Sequence, residues 1–137
     1  MHEWALAEAV IVGIMKEAKQ HGLSRVAKAT VKIGELQQID LEIFRFALEV
    51  YRESSGADLS GDALVIEIEK SSLKCRVCGK DWGFDDGAAS LKADESEAIH
   101  FLPEVAHTYM RCPHCGSPDF EITKGRGVWI ERIEGEG

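Results

Sequence analysis

Four cysteines stand in two matched turns, Cys75-Arg76-Val77-Cys78-Gly79-Lys80 and Cys112-Pro113-His114-Cys115-Gly116-Ser117. In a Cys-x-x-Cys-Gly turn two thiols lie on one side of a tight loop, and the glycine permits the backbone reversal. Two such turns facing each other offer four sulfurs at the corners of a tetrahedron. Zn²⁺ favours that arrangement, because thiolates are soft ligands and a d¹⁰ ion imposes no geometry of its own. No cysteine is left over for catalysis, so the expected site is closed and structural. Two disulfides are the competing arrangement, but a chain that starts without a secretory signal is expected in a reducing compartment, which favours the metal. Iron in the same four thiolates would make a rubredoxin-like electron carrier, which a red colour on purification would reveal.

The other group with metal chemistry is Met1-His2-Glu3. A free α-amine on Met1, the amide nitrogen of His2 and its imidazole Nδ1 can chelate one ion in fused rings. The amide must lose its proton, and square-planar nitrogen coordination points to Ni(II) or Cu(II) and away from zinc. His2 is too bulky for the usual removal of an initiator methionine, so Met1 is expected to persist. The bland alternative is a solvated histidine, as in most chains that begin Met-His. His100 and His107 flank Phe101-Leu102-Pro103-Glu104-Val105-Ala106, and either could complete a site if the zinc module folds back on the first helix. A surface or partly buried histidine is the simpler expectation for both. His114 lies inside the second turn, where four thiolates already fill a tetrahedron, so it reads as a neighbour of the metal. His21 reads as exposed beside a helix end, and Asp40 as a helix cap before it reads as a distant carboxylate ligand. No phosphate-binding glycine loop, nucleophile elbow or His-Glu-x-x-His is present, and no acid–base pair stands out; the chain carries no enzyme signature.

Composition bounds the partners. The chain has 137 residues, 45% of them hydrophobic, and a formal charge of −8. That suits one ordinary domain, or a small domain carrying a metal-stapled module. Between Lys74 and Pro118, five basic residues (74, 76, 80, 92, 111) face seven acidic ones (81, 85, 86, 94, 95, 97, 104). A ribbon that binds nucleic acid needs the opposite balance, so nucleic-acid binding is disfavoured. No apolar run reaches membrane-spanning length, and the expected location is the cytoplasm.

These groups must be positioned by regular elements. Leu6, Ala9, Val10, Gly13, Ile14 and Ala18 recur at helical steps, and Gly22 suits the residue that ends the helix. Val26–Gly34 reads as a strand. A second helix is expected from about Leu41 to Glu53, capped by Asp40, with Phe44, Ala47, Leu48 and Tyr51 on its apolar face. Ala63–Glu69 reads as a strand feeding the first cysteine turn. Residues from Asp81 to about Glu97 are acidic and rich in small side chains, and predict a loop between the turns. Phe120–Thr123, the turn Lys124-Gly125-Arg126-Gly127 and the strand Val128–Ile133 follow, the last returning to the earlier sheet, with a frayed tail at 134–137. The expected fold class is α+β: a small mixed domain of two helices on a roughly three-stranded sheet, with an inserted zinc-ribbon domain. The expected boundaries are 1–72, 73–118 for the zinc domain, and 119–137 returning to the first.

Taken together, the residues resemble the HypA/HybF family of nickel metallochaperones that serve NiFe-hydrogenase maturation. The likeness lies in Met1-His2-Glu3-Trp4-Ala5-Leu6-Ala7, Gly34-Glu35-Leu36, both cysteine turns, Ile99-His100-Phe101-Leu102-Pro103-Glu104 and Lys124-Gly125-Arg126-Gly127-Val128. The long insertion around His100 resembles the archaeal-type branch. The resemblance implies transient Ni(II) at Met1, His2 and Glu3 (largely through its backbone), with His100 as a further position. It implies structural Zn(II) at Cys75, Cys78, Cys112 and Cys115. It also implies a HypB-type nucleotide-hydrolysing partner and delivery to a hydrogenase large subunit, and some relatives serve urease as well. Copies of the chain could associate by exchanging the insertion. Apart from the iron carrier, the alternatives are a zinc-ribbon adaptor in transcription or translation, and a zinc-stabilised domain with an inert amino terminus.

Overall fold

Apolar residues at three- and four-residue steps bury one face of the first helix, α1, Glu3–Gln20, through Ala7, Val10, Ile11, Ile14 and Ala18. Gly22, at φ 70°, ends it as the sequence predicts. The Leu23 N–H reaches the Ala18 carbonyl and the Gly22 N–H that of Lys19, the paired bonds of a left-handed helix stop. The computed structural model describes residues 3–37, 39–56, 58–88 and 91–137, apart from the side chains of residues 87, 88, 100 and 103. Met1 and His2, the centre of the sequence-based nickel site, lie outside the described residues.

The strand β1, Arg25–Gly34, leads through a 3₁₀ turn at Glu35–Gln37 to α2, Leu41–Ser55. Asp40 caps α2 by accepting the Ile43 N–H, and Gly56, at φ 70°, closes it. Phe44, Ala47 and Leu48 form its buried face. β2, Leu64–Glu69, and β6, Val128–Glu136, flank β1 in a sheet of order β2-β1-β6. α1 packs against α2 and β6, where a Cβ on Gly13 would meet Ile130 at 3.0 Å. The carboxyl-terminal strand thus returns to the first sheet, and two helices accompany three strands. The tail is not frayed as expected: β6 runs to Glu136, whose carbonyl accepts the Ser24 N–H at 2.8 Å. Backbone pairing orders it although Gly135 and Glu136 bring no apolar side chain.

Two compact units emerge from the chain's own contacts. The first comprises Met1–Lys32, Ile39–Glu67 and Val128–Gly137; the second comprises Ile33–Gln38 and Ile68–Gly127. In the second, β3, Ser72–Cys75, is flanked by β4, Asp81–Trp82, and β5, Phe120–Lys124, in antiparallel register. Pairing Leu73 with Ile122 and Cys75 with Phe120 ties residues beyond 118 to the cysteine unit. The stretch from Asp81 to Glu97 is no loop, because β4, α3 (Phe84–Ala88) and the start of α4 (Ala93–Phe101) lie in it. α4 is anchored by Ile99, which joins Leu36, Leu73, Trp82, Phe84, Met110 and Phe120 in one core with Cys75 and Cys112. A last short helix, α5, spans Ala106–Tyr109.

Three passes of the chain cross closely in this second unit. Gly34 N–H donates to the Gly127 carbonyl and Leu36 N–H to that of Gly125, each at 2.8 Å. Glu69 accepts the Gly125 N–H at 2.9 Å, and Glu35 accepts the Ser71 N–H at 2.6 Å. Glycine is required here. A Cβ on Gly34 would lie 2.3 Å from the Gly125 carbonyl, and one on Gly125 would lie 2.4 Å from the Ser71 Cα. Among the described residues no helix is long and apolar enough to cross a membrane.

Candidate metal centres

Each cysteine turn is built by its own backbone. Gly79 N–H donates to the Cys75 carbonyl at 3.0 Å and Gly116 N–H to that of Cys112 at 2.8 Å. The two glycines take φ 74° and 78°, which a side chain would resist. The reversal aims amides at sulfur: Val77 and Cys78 N–H both reach Cys75 Sγ at 3.4 Å, and His114 N–H reaches Cys112 Sγ at 3.4 Å. β3 and its pairing with β5 bring the first turn to the second.

All four Sγ atoms lie within 4.8 Å of one another, and all four thiols are free. Cys75 and Cys115 are 3.5 Å apart, Cys78 and Cys112 3.8 Å. A zinc tetrathiolate with bonds of about 2.3 Å has tetrahedral edges of about 3.8 Å, so the residues present fit the ion. Cys75 and Cys112 are buried, whereas Cys78 and Cys115 are exposed. Backbone N–H groups, first that of Cys78 and then that of Val77, outweigh burial and bring the Cys75 thiol down to about 6. Burial opposes the thiolate of Cys112, but the N–H groups of Cys115 and His114 overcome it and lower its pKa. At Cys115 the Ser117 backbone favours the thiolate, yet Cys75, burial and the remaining sulfurs push it up to about 12. Each thiolate makes the next harder to form, and a divalent cation at their centre removes that conflict.

Among the described residues no histidine joins this cluster. His114 is exposed, and it is its backbone N–H that meets Cys112 Sγ. His107 places Nδ1 3.0 Å from the Pro118 carbonyl and stacks on Phe120 at 4.2 Å. A carbonyl only accepts, so Nδ1 carries the proton and the ring braces the second cysteine turn. His21 is exposed, 3.5 Å from Glu17. α4 carries His100 beside the buried Ile99; the His100 side chain lies outside the described residues.

At the start of α1, Glu3 is buried although it sits in the first helical turn. Its Oε2 accepts the Asp40 N–H at 3.1 Å. Burial alone would raise its pKa, but hydrogen bonds to the carboxylate, among them those from the Glu3 and Asp40 backbones, bring it to about 2. Asp40 therefore serves two helices, receiving Glu3 on its N–H and capping α2 with its side chain. Sequence alone did not reveal the Glu3 side-chain role; the capping signal at Asp40 was the one trace of it.

The model of a family described as "Hydrogenase/urease nickel incorporation, metallochaperone, hypA" matches residues 1–135. The chain belongs to the HypA family. Hydrogenase maturation factor HypA of Thermococcus sibiricus is 42% identical over 137 residues, covering all of this chain and 98% of that one. HypA of Pyrococcus furiosus is 43% identical over 140 residues, covering all of this chain and 99% of its own. The solution structure of the Ni metallochaperone HypA from Helicobacter pylori shares the fold at TM-score 0.62 and 24% identity, covering 100% of this chain and 99% of that one. The HypA family is one of nickel incorporation for hydrogenase and urease, and its description names a chaperone, not a catalyst.

Proposed function

We propose that the chain takes up Ni(II) at its amino terminus and passes it on for NiFe-hydrogenase maturation. The donors are the Met1 amine, the amide and imidazole of His2, and Glu3 largely through its backbone, with His100 as a further position. Cys75, Cys78, Cys112 and Cys115 would hold Zn(II), whose chemistry there is purely structural: a closed tetrathiolate that staples β3 to the second cysteine turn. Nitrogens at a chain end suit a planar ion and four sulfurs a tetrahedral one, so the two sites differ in geometry and softness. One chain can then keep zinc and release nickel.

The observation that carries the amino-terminal part is the buried contact of Glu3 with Asp40. It fastens the first turn of α1, which begins at the proposed donor Glu3, to the cap of α2. The partners in this reading are a HypB-type nucleotide-hydrolysing protein and the hydrogenase large subunit, in the cytoplasm. X-ray absorption at the two metal edges tests it. The expected spectra are a nickel site of nitrogen and oxygen donors and a zinc site of four sulfurs. Sulfur around nickel would contradict the assignment, and His100→Ala leaving the nickel spectrum unchanged would remove His100 from the ligand set.

A further inference from the structure

The two sulfur contacts of the thiol cluster share a pattern. Each joins one cysteine turn to the other, and each joins an exposed sulfur to a buried one. Exposed Cys115 lies 3.5 Å from buried Cys75, and exposed Cys78 lies 3.8 Å from buried Cys112. The buried sulfurs are anchored by backbone: Val77 and Cys78 N–H reach Cys75 Sγ, and His114 N–H reaches Cys112 Sγ, each at 3.4 Å. A solute in water therefore meets Cys78 and Cys115 first, and each has a fixed second sulfur behind it. A disulfide bond is about 2.05 Å long, so either contact closes with a shift of less than about 2 Å. Closing a turn on itself would instead draw Cys78 away from Cys112, or Cys115 away from Cys75.

An accessible cysteine beside a resolving cysteine is the arrangement of a redox sensor, and disulfides that form in reducing compartments are transient ones. We propose that Cys78 and Cys115 are oxidation sites for hydroperoxides, resolved by Cys112 and Cys75 as the disulfides Cys78–Cys112 and Cys75–Cys115. The sulfur of Cys115 attacks one peroxide oxygen; the O–O bond breaks, hydroxide leaves and a sulfenic acid forms. The sulfur of Cys75 then attacks that of Cys115; the S–S bond forms, the S–O bond breaks and a second hydroxide leaves. Two electrons pass from the sulfur pair to the peroxide, and the other pair repeats the sequence with a second peroxide. Four thiolates become two disulfides, which no longer ligate zinc. Both bonds tie the first turn to the second, as the metal would, so the unit keeps its staple while the ion is released. A dithiol reductant returns the four ligands. The inference rests on the zinc assignment.

The probe is hydrogen peroxide added to zinc-loaded protein, with zinc followed by a metallochromic indicator and thiols by titration. Zinc should be released as the four thiols per chain are lost. Trypsin cuts after Arg76, parting Cys75 from Cys78, and leaves Cys112 and Cys115 in one peptide ending at Lys124. Bonds between the turns therefore join three peptides in one species under non-reducing mass spectrometry, and fragmentation of that species should place Cys75 on Cys115. Bonds within the turns would give two separate species. Dimedone present during oxidation should trap sulfenic acid on Cys78 and Cys115. The oxidised, zinc-free protein should keep sharp amide signals in β3, β4 and β5, and dithiothreitol with zinc should return the starting spectrum. Bonds within the turns, trapping confined to Cys75 and Cys112, or zinc retained in excess peroxide overturns the proposal. So does an oxidised protein as disordered as the reduced, chelator-treated one. Reduced protein that binds no zinc sinks the zinc assignment itself, whereas bound zinc that resists peroxide sinks the switch alone.

Discussion

The backbone N–H of Asp40 donates to Oε2 of Glu3 across 3.1 Å, joining the first turn of α1 to the cap of α2. Removing that carboxylate leaves a partly buried donor without this acceptor. Glu3→Ala should therefore cost about 1–3 kcal/mol of stability, measured by chemical unfolding.

The Glu3 carboxylate also carries a pH dependence. The Glu3 carboxyl sits at about 2 in the folded chain, below its ordinary value of 4.5. Its ionised form thus favours the fold above about pH 4.5, and that contribution fades as pH falls toward 2. The stability difference between wild type and Glu3→Gln should be full at pH 7 and shrink at pH 3. A difference that is constant with pH would contradict the ionic role.

Removal of zinc should cost the second unit its order, because Cys75 and Cys112 belong to its core as well as to the thiol cluster. Cys75→Ser or a strong chelator should abolish one zinc per chain and broaden the amide signals of β3, β4 and β5, leaving those of α1 and α2 sharp. The Cys115 thiol, pushed up to about 12, must lose its proton when the metal binds. Calorimetry in buffers of different ionisation enthalpy should show proton release on zinc binding, increasing as pH is lowered.

The crossing of three chain passes should be intolerant of a single methyl group. Gly125, at φ 93° and with the Ser71 Cα 2.4 Å from where a Cβ would be, pays twice in Gly125→Ala. The expected loss is about 3 kcal/mol. Gly22→Ala, at φ 70° with open space around it, should lose only about 1 kcal/mol. Equal losses would mean that conformation alone, and not crowding, sets the glycine at 125.

His107 offers a further separation of roles. His107→Ala removes the bond to Pro118 and the stack on Phe120. Zinc should then be lost faster to a chelator, while nickel affinity stays as in wild type. An equal loss of nickel binding would make His107 a ligand after all.

Much of this was legible in the sequence because local chemistry and tertiary structure agree. The cysteine turns, the Asp40 cap and the Gly22 stop each act through near neighbours. The failures were non-local. α4 is acidic, rich in small residues and nearly without apolar period, and its anchor, Ile99, packs on a core that includes Leu36 from far earlier in the chain. The tail joins β6 through a backbone bond from Ser24, which side-chain patterns do not encode. Nothing near Glu3 in the sequence names Asp40 as its partner, and only the fold brings the two together.

The central claim is that the amino terminus binds nickel. Its most direct test is a Ni(II) titration of zinc-loaded protein with an untagged amino terminus, repeated on His2→Ala and on protein extended by one residue before Met1. The account predicts near-stoichiometric binding with a planar-nickel absorption band, lost in both variants. Binding that survives both changes would contradict it and move the nickel site elsewhere in the chain.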